Sequence, residues 1–254
     1  MILKSPSTAP TACKICNEPA PLFGVVDFNK SCEDRRGLRL PVSGTPVYYR
    51  RCQGCGFLFT DAFDDWTAAD FKTYIYNDGY LEVDPDYAEI RPRSNAGVVA
   101  QLFGAHKAER RVLDFGGGND VLCSVLRAGG FPHATTYDPF TPAHAQPPEG
   151  MFDLITCFET LEHMPDPAAG IAAIIAHLAE PGMVVFSTLL QPQDFASFGL
   201  NWWYAGPRNG HVSLYSKNAL VLAWRKFGFQ TASFSDILHV AFRTLPAFAK
   251  HLLK

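Results

Sequence analysis

The hydrophobic pattern of this chain changes period most sharply between residues 111 and 130. Val112-Leu113-Asp114-Phe115 is a short apolar run broken by one carboxylate, the pattern of a buried strand. Gly116-Gly117-Gly118 follows, a turn in which backbone can approach a ligand closely. Val121, Leu122, Val125 and Leu126 then recur at helical spacing until Gly129-Gly130. Strand, glycine turn and helix form the opening unit of a nucleotide-binding α/β domain.

The pattern continues in that style. Residues 134–138 read as a second strand ending in Asp138, and 152–158 as a central strand. Residues 168–179 read as a helix, Glu180-Pro181-Gly182 as a turn, and 183–190 as an apolar strand. Ser216 is placed to cap a helix over 217–227 that Gly228 closes, and 229–236 and 237–244 read as a final pair of strands. Upstream, 66–76 and 94–105 read as helices, the second with Ser94 as N-cap. Residues 25–28 and 46–50 read as strands of an N-terminal hairpin or lobe. Residues 1–10 suggest a frayed tail and 245–254 a surface helix. Residues 141–150 hold three prolines and no strand pattern, so the middle of the α/β sheet is expected to be shortened.

Composition narrows the class. The chain has 254 residues, 47% of them hydrophobic, enough for one large domain or a large and a small one. A net charge of −3 gives no electrostatic case for nucleic acid or an anionic membrane. No apolar run approaches the roughly 18 residues that span a bilayer, and the first residues lack a signal-peptide pattern, so a cytoplasmic location is the default expectation. Seven cysteines are then expected to be reduced, and metal binding outranks disulfides.

Cys13-x-x-Cys16 and Cys52-x-x-Cys55 together read as a tetrahedral zinc site of four thiolates, with buried or redox thiols as the plainer alternative. Four thiolates leave no open position, so such a zinc would be structural. Cys32 reads as a spare thiol.

The glycine stretch discriminates between cofactors. The dinucleotide fingerprint G-x-G-x-x-G/A fails where Val121 takes its third place. Asp114-x-Gly116-x-Gly118-x-Asp120 instead resembles motif I, D-x-G-x-G-x-G, of the class I S-adenosylmethionine-dependent methyltransferases, departing from it at Asp120. Glu159-Thr160-Leu161-Glu162-His163-Met164-Pro165-Asp166-Pro167 resembles the E-x-L-E-H-x-x-D-P stretch of a large group of these enzymes, including ubiquinone-pathway and sugar methyltransferases. The stretch from Trp202 through His211 to Ser216 is similar to the same group. The resemblance covers most of residues 94–254 and implies a Rossmann-like α/β fold, with an N-terminal zinc-binding lobe over 1–62 and a connecting cap over 63–93.

The resemblance implies an S-adenosylmethionine site. Gly116, Gly117 and Gly118 approach the cofactor, Asp114 serves its amino end, and Asp138 its ribose. The alternative for Asp138 is an Asx turn before Pro139. Pro139 and Phe140 lie beside the adenine, Glu159 lines the pocket, and Arg93 or Arg91 pairs with a carboxylate or phosphate, solvated arginines being the alternative. His211 is the favoured general base for a small-molecule acceptor, a sugar or nucleotide sugar among the candidates, with His163 in reserve and Glu162 beside it. In some relatives the acidic and histidine positions of the second motif hold a divalent ion, so Glu159, Glu162 and His163 are a candidate set. The alternative for Glu162 and His163 is to cap the next helix and fix the loop. A non-catalytic scaffold, in which Asp120 closes the pocket, and an NAD-dependent oxidoreductase are the competing readings.

Overall fold

The structure is a computed structural model that describes residues 9–253. The tail reading therefore falls largely outside the described residues at the N-terminus, as does Lys254. Contacts divide the chain into two units that interleave along the sequence. One comprises residues 1–84, 161–170 and 189–226; the other comprises 85–160, 171–188 and 227–254.

The second unit carries the α/β sheet. Its elements are α3 (Ile90–Phe103), β6 (Val112–Phe115), α4 (Val121–Ala128), β7 (Ala134–Tyr137), β8 (Phe152–Cys157), β9 (Leu178–Ser187), β11 (Gln230–Ser233) and β12 (Leu238–Phe242). The strand order is β11-β12-β9-β8-β6-β7. The four strands from β7 to β9 are parallel, and the β11–β12 hairpin is antiparallel against β9. All four residues of β6 are buried, Asp114 included. The chain leaves β6 for β7 on one side and returns through β8 on the other, so the strand order reverses beside β6. In open α/β sheets such a reversal marks the ligand crevice, at the carboxyl ends of the strands. Between β7 and β8 stands only a turn of 3-10 helix at Pro142–His144, the shortened middle that the prolines foretold.

Three local expectations change. Helix α3 begins at Ile90 rather than Ser94, because Pro92 falls in its first turn, where the missing N–H has no intrahelical partner to lose. Strand β9 starts at Leu178, before the expected turn: Leu178 pairs with Phe152, and a register irregularity absorbs 179–182 before Met183 pairs with Leu154. The 3-10 helix Ala247–Leu253 is no surface appendage, since Phe248 and Ala249 are buried in the core and the Phe248 ring lies 5.9 Å from Phe103.

His239 on β12 is fully buried, with Nε2 3.1 Å from the Thr188 carbonyl and Nδ1 2.8 Å from Ser233 Oγ. Burial holds its pKa below the usual value of about 6.5, so the folded state keeps it neutral. Below about pH 6.5 the unfolded chain takes up this proton first, and stability falls with pH until the folded-state pKa is passed. The slope is up to about 1.4 kcal/mol per pH unit. In urea titrations at pH 5 and 7, His239→Gln is expected to lose less stability on acidification than the wild type; an equal loss refutes this account.

The first unit holds the cysteine pairs. Its elements are β1 (Thr11–Ala12), β2 (Pro19–Ala20), β3 (Leu22–Asp27), β4 (Pro46–Arg51), β5 (Leu58–Phe59), α1 (Ala68–Tyr74), α2 (Tyr80–Val83), α6 (Phe195–Phe198), β10 (Ser213–Leu214) and α7 (Lys217–Arg225). Helix α5 (Pro167–Ile175) starts in this unit, with Asp166 Oδ1 accepting from the amides of Ala168 and Ala169. That aspartate, not Glu162 or His163, caps the helix. Strands β1 and β2 pair antiparallel, and β3, β4, β5 and β10 form an antiparallel sheet. Helix α1 starts with a reciprocal capping box between Thr67 and Asp70. Tyr49, Leu58, Phe63, Ile75, Trp202, Tyr204, Val212 and Leu214 belong to one buried core. This unit therefore has a core of its own, larger than a lobe ending at residue 62 suggests. The long 191–210 segment is latched to it: Lys30 Nζ donates to the carbonyls of Trp202 and Ala205, and Arg208 to that of Ile75.

Candidate functional sites

The glycine turn is shaped from below by Asp114. The register sets Asp114 beside Thr136 of β7 and Thr156 of β8. Thr156 donates to Asp114 Oδ1 at 2.7 Å. The carboxyl is 3% exposed, and burial pushes its pKa up to about 7 against that hydrogen bond, with the charges of Asp138 and Asp120 adding to the rise. A Cβ on Gly117 would overlap this carboxylate and crowd Thr136, so the middle glycine is needed for the close approach of turn to strand. Gly116 has φ +78°, and a Cβ there would stand 2.7 Å from Thr160 Oγ1 in the loop after β8. Gly118 has φ +58° and donates its N–H to Asp138 Oδ2 at 2.9 Å.

Asp138 does two things. Its Oδ1 accepts from the amides of Phe140 and Thr141, an Asx-type turn over the exposed Pro139, and its Oδ2 ties that turn to the glycine loop. Oδ1 thus already takes two donors, and Oδ2, with one, has room for a second. Phe140 stands 36% exposed beside it.

Asp120 explains the departure from the methyltransferase motif. Its φ is +65°, the left-handed conformation a glycine adopts readily. The carboxylate is bound by Arg127 and by Thr136 Oγ1, 2.7 Å away. The turn thus keeps its left-handed path at this position while the side chain is engaged with α4 and β7.

Glu159, two residues past the end of β8, has φ +50°, a strained value of the kind that collects at ligand sites. Its amide donates to Ser187 Oγ, which donates back to Glu159 Oε1 at 2.6 Å. Arg93 is in a different setting: it is exposed on α3 and pairs with Glu89 one turn away, the solvated alternative.

The four paired cysteines come together. Sγ of Cys13 lies 3.7 Å from that of Cys55, and Sγ of Cys16 lies 3.3 Å from that of Cys52. Four sulfurs about 2.3 Å from a tetrahedral zinc sit about 3.8 Å apart, so the donor set fits the ion. The two knuckles match: Asn17 and Gly56, each just after its pair, are both left-handed. The amides of Ile15 and Cys55 point at the sulfurs of Cys13 and Cys52. A hydrogen bond from Cys55 draws the Cys13 thiol down to about 5 and raises that of Cys55. Cys32 lies apart from this set, buried, its Sγ 3.5 Å from His211 Nδ1.

A third cluster gathers Glu162, His163 and His211, whose ligand atoms lie within 4.8 Å of one another. Glu159 is not of this group, so the structure replaces it with His211 in the candidate divalent-ion set. Tyr204, to which the sequence assigned no role, donates to Glu162 Oε1 at 2.5 Å and packs its ring 4.2 Å from that of His211. Tyr49, also unforeseen, donates to the His211 carbonyl at 2.7 Å. Tyr204 stood in a recognised aromatic stretch; nothing local marks Tyr49.

Among the described residues no helix is long and apolar enough to cross a membrane. A ubiquinone biosynthesis O-methyltransferase of Aromatoleum aromaticum is 35% identical over 155 residues, covering 49% of this chain and 66% of that protein. Its counterpart in Pectobacterium carotovorum is 45% identical over 94 residues, covering 37% of this chain and 39% of that protein. The chain thus spans less than two thirds of each of these curated relatives. An O-methyltransferase family protein from Burkholderia thailandensis is similar in fold, with a TM-score of 0.52 and 15% identity over 68% of this chain and 63% of that one. A methyltransferase-domain family model matches residues 87–233, more than half of the chain, and the chain belongs to that family.

Proposed function

We propose that this protein transfers a methyl group from S-adenosylmethionine to an oxygen of a small-molecule acceptor. The observation that carries this reading is the turn at the sheet's reversal point. There Gly116, Gly117 and Gly118 run close over strand β6, and Asp138 is tied to them through Gly118. When bound, S-adenosylmethionine supplies a methyl already activated on a sulfonium. The protein's part is to hold that methyl and the acceptor and to manage a proton. Asp138 is the group for the ribose hydroxyls, and Asp114, buried beneath the turn, the group for the cofactor's amino end. Phe140 is the side chain for the adenine face, and Glu159 lines the same unit's crevice. The two relatives named above, both O-methyltransferases, support oxygen as the acceptor atom. His211, with His163 and Glu162, is the group for the acceptor proton, and the four cysteines hold a structural zinc.

The test is calorimetric titration of zinc-loaded protein with S-adenosylmethionine and, separately, NAD. Binding of the first near micromolar, weakened at least about tenfold by Asp138→Ala, is expected, a loss of about 1.4 kcal/mol or more. Methyl transfer to quinone precursors and to nucleotide sugars then distinguishes the acceptors. Binding of NAD alone would overturn the reading in favour of an oxidoreductase; binding of neither would favour a scaffold.

A further inference from the structure

We propose that a pocket beside the second cysteine knuckle binds an organic oxyanion, a phosphate or carboxylate carried on an apolar body, with Arg51 as its counter-charge. The pocket lies wholly within the cysteine-bearing unit, and Arg51 has no part in the cofactor or zinc sites. Three observations carry the proposal. The first is an unanswered charge. Side chains alternate between the faces of a strand, and at the end of β4 the two arginines meet different surroundings. Arg50 finds Asp61, with Nε 2.9 Å from Oδ2. Among the described residues no carboxylate pairs with Arg51. Its guanidinium carbon instead lies 5.2 Å from the ring centroid of Phe195 and 5.9 Å from that of Phe23, two rings stacked 5.7 Å apart. Aromatic faces attract the cation but leave its in-plane N–H fork for oxygen.

The second observation is an orphaned donor. Arg51 Nε is enclosed and hydrogen-bonds to nothing. A buried donor left unmade is costly, and in folded proteins such an atom marks a water or ligand that belongs there. The third is the shape of the wall. Leu22 pairs with Arg50 and Gly24 with Tyr49, so Phe23 is an extra residue bulged out of the ladder. Bulges re-aim side chains and collect beside functional sites. This one sets Phe23, 38% exposed, into the pocket wall.

The lining selects the ligand. Pro21, Leu22 and Phe23 supply an apolar side, and Arg51 and Gln53 a polar one. The pocket holds about 180 Å³. A water molecule takes about 30 Å³, so there is room for an oxyanion with a ring or short chain attached. A phosphate or carboxylate presents two oxygens to the guanidinium fork, whereas a cation is repelled and a neutral apolar molecule leaves Nε unmet. Gly56 brings the knuckle backbone beside this fork: its φ is +76°, and a Cβ there would stand 3.7 Å from Arg51 Nη2. This inference goes beyond the methyl-transfer reading and does not rest on it.

The test titrates phenyl phosphate, benzoate and inorganic phosphate separately into the full zinc-loaded chain, followed by calorimetry and by the NMR signal of the Arg51 Nε–H. One phenyl phosphate or benzoate per chain is expected, with a shift of that signal, and the tighter of the two identifies the oxyanion. Arg51→Gln is expected to weaken binding at least about tenfold, and Arg51→Lys, which keeps the charge but not the fork, to restore it only in part. Phe23→Ala is expected to weaken phenyl phosphate while leaving inorganic phosphate unchanged. Urea unfolding of each variant checks that the fold is intact, and the Nε–H shift in the wild type stands independently of any variant. No saturable binding, a silent Nε–H signal, or equal affinity in a folded Arg51→Gln overturns the proposal and assigns the orphaned donor to water. Inorganic phosphate binding as tightly as phenyl phosphate overturns the apolar body.

Discussion

Gly116→Ala is expected to weaken S-adenosylmethionine binding at least tenfold, while Gly97→Ala leaves it unchanged. Two costs meet at Gly116. Its φ of +78° is left-handed, which disfavours a residue with a Cβ by about 1–2 kcal/mol. The added Cβ would also stand 2.7 Å from Thr160 Oγ1 and 2.9 Å from its Cγ2. Thr160 has little freedom to yield, since its hydroxyl donates to the Phe158 carbonyl and the preceding Glu159 is itself left-handed and tied to Ser187. The turn must therefore move, and about 1.4 kcal/mol of lost complementarity is already tenfold in affinity. Gly97 is exposed inside helix α3 with nothing within 4 Å of a Cβ, so alanine there is expected to add up to about 1 kcal/mol of stability. Calorimetric titration of both variants, with urea unfolding alongside, separates loss of the site from loss of the fold. Unchanged affinity in a folded Gly116→Ala would refute the assignment of this turn to the cofactor.

Cys52→Ser is expected to abolish the proposed zinc binding and to open the two knuckles, while the core around Tyr49 keeps its protection. Cys52 is 2% exposed, its sulfur 3.3 Å from that of Cys16 and receiving the Cys55 amide. One ligand fewer leaves three thiols crowded without the cation that makes their proximity favourable. Structural zinc in small finger peptides contributes about 10–16 kcal/mol, an upper bound here because β4, β5 and β10 pack into a separate apolar core. Metal analysis together with hydrogen exchange reads the outcome. Fast exchange confined to β1, β2 and the turn joining β4 to β5 is expected. Exchange unchanged from the wild type would show that no structural ion is held there, and global unfolding would show that the core depends on it.

Some of this was legible in single stretches of chain. The strand–glycine–helix unit announced itself because a buried strand, a turn that tolerates positive φ and an amphipathic helix each leave a local signature. The cysteine pairs were equally plain, since a knuckle is a local structure and its x-x spacing is set by the reach of two thiols to one ion. The capping serine at 216 and the glycine at 228 marked a helix whose ends depend on neighbours in sequence. Asp120 misled only in appearance, because its identity broke a pattern while its backbone conformation kept it.

What the sequence by itself determined, then, was the glycine turn, the Ser216 cap and the paired cysteine knuckles, along with the family motifs that sit on them. The partition of the chain was decided by tertiary structure. Residues 213–214 complete the sheet of the cysteine-bearing unit by pairing with 58–59, a contact no local period reports. The C-terminal Phe248 reads as surface until a core from distant segments is there to receive it. The companion of Glu162 and His163 is His211 rather than Glu159, because a carboxylate at a strand end takes the partner its own sheet offers, here Ser187. Such pairings depend on which strands adjoin across tens of residues, and that is fixed by burial of the whole core rather than by the preferences of any one segment.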